Sequence, residues 1–473
     1  METLHYEAVV VGAGPGGYPC AIRLGQLGKK TLCIERDNWG GVCLNVGCIP
    51  SKALISAAKK YQSLTKMASM GINISGFELD MAKTQDWKND IVKKLTGGID
   101  FLLKTNGVDR MLGDAKFIGG RELEVTKNDG SKVKITCDNL VIAIGSRPIE
   151  IPPFPYSEER ILDSTKALAL SEVPKRLAVI GGGYIGLEMG MMLAKLGSQV
   201  TIVEAADSVL ALFDPEVVKE ITKSMKKLKM KAITGVFAQG WEEGDDGAIL
   251  TVKHAKGSKE GQTEEIICDK ILVTIGRRPN SEQLKEIGIA LNERGYVITD
   301  DQQRTNLEGV YAVGDITGRT MLAHGATYEG ELAAEVIAGH DYRHYQAKTV
   351  PAVVFTDPEI ATAGLMEHEA TAKGYNVKIG KMPFSAIARA MTTGETGGFI
   401  KTILDAEDDR VLGLTIVGPN ASDLISEAAL AVELDAEALD IGLTIHPHPT
   451  LGEGMMESAK HALGEAVHIP NKK

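Results

Sequence analysis

Cys43 and Cys48 are the residues best able to do chemistry in this chain. They lie in the run Gly40-Gly41-Val42-Cys43-Leu44-Asn45-Val46-Gly47-Cys48-Ile49-Pro50-Ser51-Lys52, with four residues between them. Gly47 lets the chain turn, so the two sulfurs can come within bonding range. Pro50 followed by SKALISAAKK reads as the first turns of a helix. That puts Cys48 at a helix N-terminus, where the dipole favours thiolate over thiol. Zinc would need further ligands close by; none has the right type and spacing, so no metal is expected. Two inert core thiols are the blander alternative. It suits Cys20, Cys33, Cys137 and Cys268, which fall in helix or strand patterns.

Exchange between dithiol and disulfide moves a proton, and imidazole titrates near neutral pH. Ile445-His446-Pro447-His448-Pro449-Thr450-Leu451-Gly452-Glu453, near the C-terminus, offers two histidines. Their prolines fit either a rigid surface loop or a positioned acid–base.

The elements that must position these groups are announced by an internal repeat. Residues 7–35 read as the strand EAVVV, the turn Gly12-Ala13-Gly14-Pro15-Gly16-Gly17, an amphipathic stretch ending at Gly28, and the strand TLCIE closing on Glu35. Residues 176–204 repeat this as RLAVI, Gly181-Gly182-Gly183-Tyr184-Ile185-Gly186, a helical stretch ending at Gly197, and QVTIVE closing on Glu204. Gly12, Gly14, Gly17, Gly28 and Glu35 each recur 169 residues later. Each copy is a βαβ unit whose first glycine permits the tight turn, the second lets pyrophosphate approach the backbone, and the third packs helix on strand. The phosphate then meets free N–H groups at the positive end of a helix. Two copies in equal context predict two dinucleotide sites. Glu204 at its strand end suits a free ribose 2′-OH and would repel a 2′-phosphate, and Ala205-Ala206 follow it in place of basic residues. NAD is the expected nicotinamide nucleotide.

DNLVIAIGSRP (138–148) and DKILVTIGRRPN (269–280) read as buried strands closing the two nucleotide domains. From about residue 348 the pattern changes to antiparallel strands, PAVVFTDPEIATAG and LGLTIVG, followed by the helical run SDLISEAALAVEL. The expected domains are 1–148, 149–275, 276–347 and 348–473. The fold class is α/β, with two Rossmann-like dinucleotide-binding domains and a C-terminal α+β domain. The whole chain has 473 residues, 44% of them apolar and 24% charged, which excludes disorder. Its formal charge of −11 argues against nucleic acid as a partner. Apolar runs are strand-sized, so no membrane span is expected. The first residues show no secretory signal. Six cysteines are too few for a disulfide scaffold and fit a reducing, cytoplasmic setting.

GAGPGG, GGVCLNVGCIPSK, GGGYIGLE, GVYAVGDITG and HPHPTLGE occur in the order found in the class I pyridine nucleotide–disulfide oxidoreductases. The chain resembles this family along essentially its whole length, most closely the members that oxidise protein-bound dihydrolipoyl groups. The resemblance implies that Gly12, Gly14, Gly17 and Glu35 hold FAD, with Ala115 on its adenine side and Gly145 and Ser146 nearby. Asp315 would bind the ribityl chain, and Met321, Leu322, Ala323 and His324 would lie against the flavin edge. Lys52 and Glu188 would pair beside the flavin, where the lysine stabilises negative charge. NAD would lie on Gly181, Gly182, Gly183, Tyr184, Ile185, Gly186, Leu187, Glu188, Glu204, Val236 and Gly276.

The resemblance also assigns the redox roles. Cys43 forms the mixed disulfide with substrate, Cys48 faces the flavin, and His448, the histidine directly before Pro-Thr, is the base, oriented by Glu453. His448 would reach the site from the other subunit of a homodimer built by the C-terminal dimerisation domain. The implied partners are the lipoyl-bearing E2 or H-protein of 2-oxo acid dehydrogenase or glycine cleavage complexes. Pro447 departs from the family, which usually has a small residue such as Ala there.

Overall fold

The computed structural model describes residues 1–471. Its first sheet has the strand Glu2–Val11 at its centre. Thr31–Glu35 pairs with it in parallel on one side and Lys132–Ile142 on the other, and Asp109–Gly119 and Val310–Ala312 extend the parallel order outward. The strand Glu122–Lys127 closes an antiparallel ribbon between Asp109–Gly119 and Lys132–Ile142. Ala8, Val9 and Val10 are all fully buried, because a parallel strand covered on both faces must be apolar throughout.

The second sheet repeats the first. Arg176–Ile180 is central, flanked in parallel by Gln199–Glu204 and Lys270–Val273, with Lys231–Thr234 and Ile161–Leu162 at the edges. A three-stranded antiparallel sheet, Val236–Gly244, Gly247–His254 and Thr263–Cys268, takes the place of the ribbon. The repeat is therefore one of whole units. The third sheet is antiparallel, in the order Ala352–Val354, Glu359–Gly364, Val411–Gly418, Phe399–Asp405, Val377–Pro383. The helices Ala421–Glu433 and Glu453–Leu463 pack on it through Ile425, Ala428, Met455 and Ala459.

One segment, Gly41–Leu64, is long and apolar enough in composition to cross a bilayer, which strand-sized runs alone did not suggest. It is two helices, Gly41–Val46 and Cys48–Leu64, broken at Gly47. Leu54 and Ala58 lie in the core, Lys52 is ion-paired, and 33% of the apolar stretch is buried.

The second nucleotide unit is joined to the C-terminal sheet by buried charge. Lys401, on the strand Phe399–Asp405, is 1% exposed and its Nζ lies 2.9 Å from Asp214, 2.6 Å from Glu216 and 2.5 Å from Glu367. The three carboxylates converge at a spacing that could hold a cation, and the Lys401 ammonium is the cation they meet. Lys195 and Asp357 pair at 2.7 Å across the same boundary. Removing the central cation of this buried network leaves three carboxylates facing each other with only His368 and Lys381, at its edge, to offset them. Lys401→Met should therefore destabilise the protein by about 3–5 kcal/mol, read as a lower denaturant midpoint.

Candidate active site

Each glycine turn does three separate jobs. Gly12 and Gly181 have φ of +97° and +106°, a left-handed turn that side chains resist. A Cβ on Gly17 would lie 1.8 Å from Gly12 O, and one on Gly186 2.2 Å from Gly181 O, so these positions require helix and strand in contact. At Gly14 and Gly183 a Cβ would meet nothing within 4 Å. The middle glycine thus leaves bare backbone facing open space, which fits a pyrophosphate. Both strand-end acids brace their own turns. Glu35 accepts from Ala13 N (2.7 Å) and Asp37 N (2.9 Å), and Glu204 from Gly182 N (2.6 Å) and Ala206 N (2.7 Å). Their remaining lone pairs are free for ribose hydroxyls.

The cysteine segment is packed onto the first turn. Gly41, at φ +57°, lies so close that a Cβ there would be 2.7 Å from Gly14 Cα. Cys43 sits in the helix Gly41–Val46 and Cys48 begins the helix Cys48–Leu64. Both are free thiols, so the structure holds the dithiol form of the pair. Their acidities are split. The hydrogen bond from Cys43, with Lys52 beside it, brings Cys48 down to about 7 against the opposing effect of burial. The same bond, with burial adding to it, pushes Cys43 up. Lys52 Nζ donates to Glu188 Oε2 at 2.9 Å and lies 4.3 Å from the centre of the Phe355 ring. Glu188 Oε1 accepts Phe355 N–H at 2.8 Å.

These groups open on one cavity of about 860 Å³. It brings together Gly12, Gly14, Glu35, Cys43, Cys48, Lys52, Ala115, Gly145, Ser146, Asp315, Met321 and Ala323 with Tyr184, Ile185 and Glu188 of the second unit. A dinucleotide with an extended ring system fits: the lining offers a bare glycine turn, the thiols, Lys52 and Asp315. Ser146 Oγ donates to Asp315 Oδ2 at 2.5 Å. Sequence reasoning missed Arg277, which also lines the cavity and donates to Ser146 Oγ and Ser146 O at 2.8 and 2.7 Å. Arg277 begins a short strand of its own, Arg277–Pro279, and no spacing in the sequence ties it to Ser146.

Other expected residues lie elsewhere. Leu322 and His324 are off the cavity lining, and His324 Nε2 donates to Pro351 O at 2.7 Å. Gly181, Gly182, Gly183, Gly186, Leu187, Glu204 and Gly276 belong to the second turn and its surroundings. Val236 is 1% exposed, in a core with Phe154, Ala178 and Leu250, leaving only its backbone to offer a ligand.

His448 and Glu453 also lie outside the lining. They form a pair of their own: His448 Nδ1 is 2.8 Å from Glu453 Oε1, and Glu453 Oε2 accepts Thr450 N–H at 2.9 Å. Burial disfavours charge on Glu453, but the bonds from His448 and Thr450 outweigh it and hold the carboxyl below its ordinary value. The His448 side chain is 71% exposed, and its Nε2 has no partner among the described residues. His446 is the opposite case. Its side chain is 6% exposed and both nitrogens are taken, by Thr444 O and Glu427.

Comparison with known proteins decides the family. Residues 6–330 match the pyridine nucleotide-disulphide oxidoreductase model and residues 350–459 its dimerisation domain. The chain belongs to the pyridine nucleotide-disulphide oxidoreductases. The dihydrolipoyl dehydrogenase of Geobacillus stearothermophilus is 48% identical over 472 residues, covering 98% of each chain. That of Bacillus subtilis (strain 168) is 45% identical over 466 residues, covering 98% of this chain and 97% of the other. Among solved structures, LpdA from Mycobacterium tuberculosis superposes with a TM-score of 0.88 at 26% identity, covering 97% and 99% of the two chains. The HOCl-induced flavoprotein disulfide reductase RclA from Escherichia coli gives 0.86 at 26% identity, covering 96% and 99%. As a member of this family the protein is an oxidoreductase with FAD and NAD as cofactors, and it carries the family's dimerisation domain.

The split acidity of the thiols has a direct readout. In the reduced oxidoreductase, thiolate ultraviolet absorbance should rise with a midpoint near pH 7, as Cys48 loses its proton, well below an ordinary cysteine. Lys52→Met removes one of the causes and should move that midpoint upward.

Proposed function

We propose that this enzyme oxidises protein-bound dihydrolipoyl groups and reduces NAD⁺, as the E3 component of 2-oxo acid dehydrogenase or glycine cleavage complexes. The carrying observation is that the thiol pair, the Lys52–Glu188 pair and Tyr184 of the nicotinamide-side turn share one cavity. The end-to-end likeness to dihydrolipoyl dehydrogenases supports the substrate.

The exchange follows from the acidities. One thiol of the dihydrolipoyl group attacks Cys43 Sγ of the oxidised pair, forming a mixed disulfide as Cys48 leaves. Cys48, the more acidic sulfur, is the better leaving group. The second substrate thiol then displaces Cys43, so the lipoyl disulfide forms as the cysteine pair is reduced. His448 takes the substrate proton at Nε2, while Glu453 fixes Nδ1–H and steadies the imidazolium. Bound FAD supplies the two-electron relay from the thiols to NAD⁺. The balance is dihydrolipoyl group + NAD⁺ → lipoyl group + NADH + H⁺.

His448 belongs in this scheme to the partner subunit of a homodimer. Its surroundings support that. Leu430, Leu434, Leu443 and Ile445 are 60%, 69%, 73% and 94% exposed, an apolar face of the kind that another subunit covers. The divisions at 148, 275 and 347 stand as the proposed domain limits. Buried free thiols at Cys20, Cys33, Cys137 and Cys268 fit a cytoplasmic setting.

Turnover separates this reading from a glutathione-type reductase. Dihydrolipoamide with NAD⁺ should turn over, with kcat/KM far above that for NADP⁺, and glutathione disulfide with NADPH should not. Parity between the two nucleotides would overturn the role given to Glu204. The subunit assignment is tested by mixing. His448→Gln should lose ~10²–10⁴ in lipoamide turnover, while NADH-driven reduction of artificial acceptors survives. A mixed dimer of Cys43→Ser and His448→Gln chains should recover activity, because one shared site combines both defects and the other has neither. No recovery in verified mixed dimers removes the shared site.

A further inference from the structure

The helix Ala323–Ile337 carries a buried acid that the chemistry above leaves unused. Glu329 is 1% exposed. Its Oε2 accepts Gly314 N–H at 2.7 Å, while Oε1 has no hydrogen-bond partner among the described residues. The groups facing it are Arg319, whose Nε is 3.9 Å from Oε1, Asp315 and Thr317 on the turn it holds, and Tyr345, which Arg319 stacks upon at 4.4 Å. A carboxyl placed so deeply with one oxygen unmatched is a cost to the fold, and apolar residues fill most of the rest of this helix's buried face.

What it holds is a backbone turn of the cavity wall. Gly314, at φ +77°, directly precedes Asp315, the residue bonded to Ser146. The same helix touches the first glycine turn. A Cβ on Gly330 would lie 2.2 Å from Gly16 O, and one on Gly16 would lie 3.5 Å from Gly314 N. Glu329 is thus on a helix that contacts both backbone turns of the cofactor cavity. We infer that Glu329 is a positioning residue for FAD: by holding Gly314 N–H it fixes Asp315 at its distance from the pyrophosphate turn. It acts through Asp315 and touches no reacting atom. The inference rests on FAD occupying this cavity.

Its protonation gives a signature that packing alone does not. Burial pushes the Glu329 carboxyl up to about 7, Asp315 adds to the rise, and Gly314 N–H and Arg319 oppose it. Because the value in the fold lies above the ordinary one, the neutral acid's contribution is complete at low pH and is lost as pH rises through about 7. A glutamine keeps the acceptor oxygen and does not titrate.

The test is FAD release from the holoenzyme, read by the recovery of flavin fluorescence, in native protein, Glu329→Gln and Glu329→Ala. The cysteine pair is kept oxidised so that Cys48 does not titrate. Glu329→Ala should release FAD roughly tenfold faster, the loss of one buried hydrogen bond. Glu329→Gln should match native protein at acid pH. Between about pH 6 and about pH 8 the release rate should change with pH in native protein, as the carboxylate forms and its bond to Gly314 N–H alters, and stay flat in Glu329→Gln. If Glu329→Ala fails to fold, Glu329→Asp, too short to reach Gly314 N–H, should show the same fast release. Equal release from native, Ala and Asp proteins, or one pH profile for native and Gln, overturns the inference. Native protein purified without FAD would instead overturn the cavity assignment beneath it.

Discussion

Glu188 is a carboxylate that is 5% exposed and therefore has to be satisfied on every side. One oxygen takes Lys52 from the cysteine helix, the other takes the Phe355 backbone from the start of the C-terminal sheet, and Glu188 itself belongs to the second nucleotide unit. Three parts of the chain meet at one charged group. Lys52 stands where it does because Glu188 holds it, and its ammonium is one of the influences that make Cys48 acidic. The reactivity of a thiol is thereby set by a contact between residues 136 positions apart.

Around that junction the fold reuses one device. Both nucleotide units open with a left-handed glycine, bare the backbone at a middle glycine, and close helix on strand at a third, and both brace the turn with the acid at the end of the next strand. They differ in what comes after. The first unit continues into the cysteine helices, pressed against Gly14, while the second continues into the helix Pro215–Lys227. A duplicated scaffold has gained redox chemistry in only one of its copies.

Features written in neighbouring residues were legible in the sequence. The glycine repeat gave two matching sheets, Pro50 placed Cys48 at a helix start, and the spacing of His448 and Glu453 is that of a hydrogen-bonded pair. The choice between His446 and His448 was not local in this sense. It came from the family resemblance, and its physical basis is burial, which ties up both nitrogens of one ring and leaves the other exposed. Arg277, Glu329 and Lys401 were illegible for another reason. Each is a charged residue beside a strand, in a helix or within a strand, where a solvated face is the ordinary reading. Their partners Ser146, Gly314 and Asp214 are brought to them by the fold and by no spacing rule. The pinning of Glu35 and Glu204 by their own turns was hidden because the acceptor pattern depends on backbone N–H directions.

The buried pairs that join the second nucleotide unit to the C-terminal sheet also order the birth of the protein. A chain made from its N-terminus completes Glu188, Lys195 and Asp214 long before Phe355, Asp357 and Lys401 exist. Until then Lys195 and Asp214 have no partners and Glu188 has only Lys52, so that face of the unit cannot close. The C-terminal sheet, made later, is what seals it. Modules that follow one another cleanly along the sequence are in this way finished together, and a truncated product ending before residue 350 would present an open, charged face to whatever surveys nascent proteins.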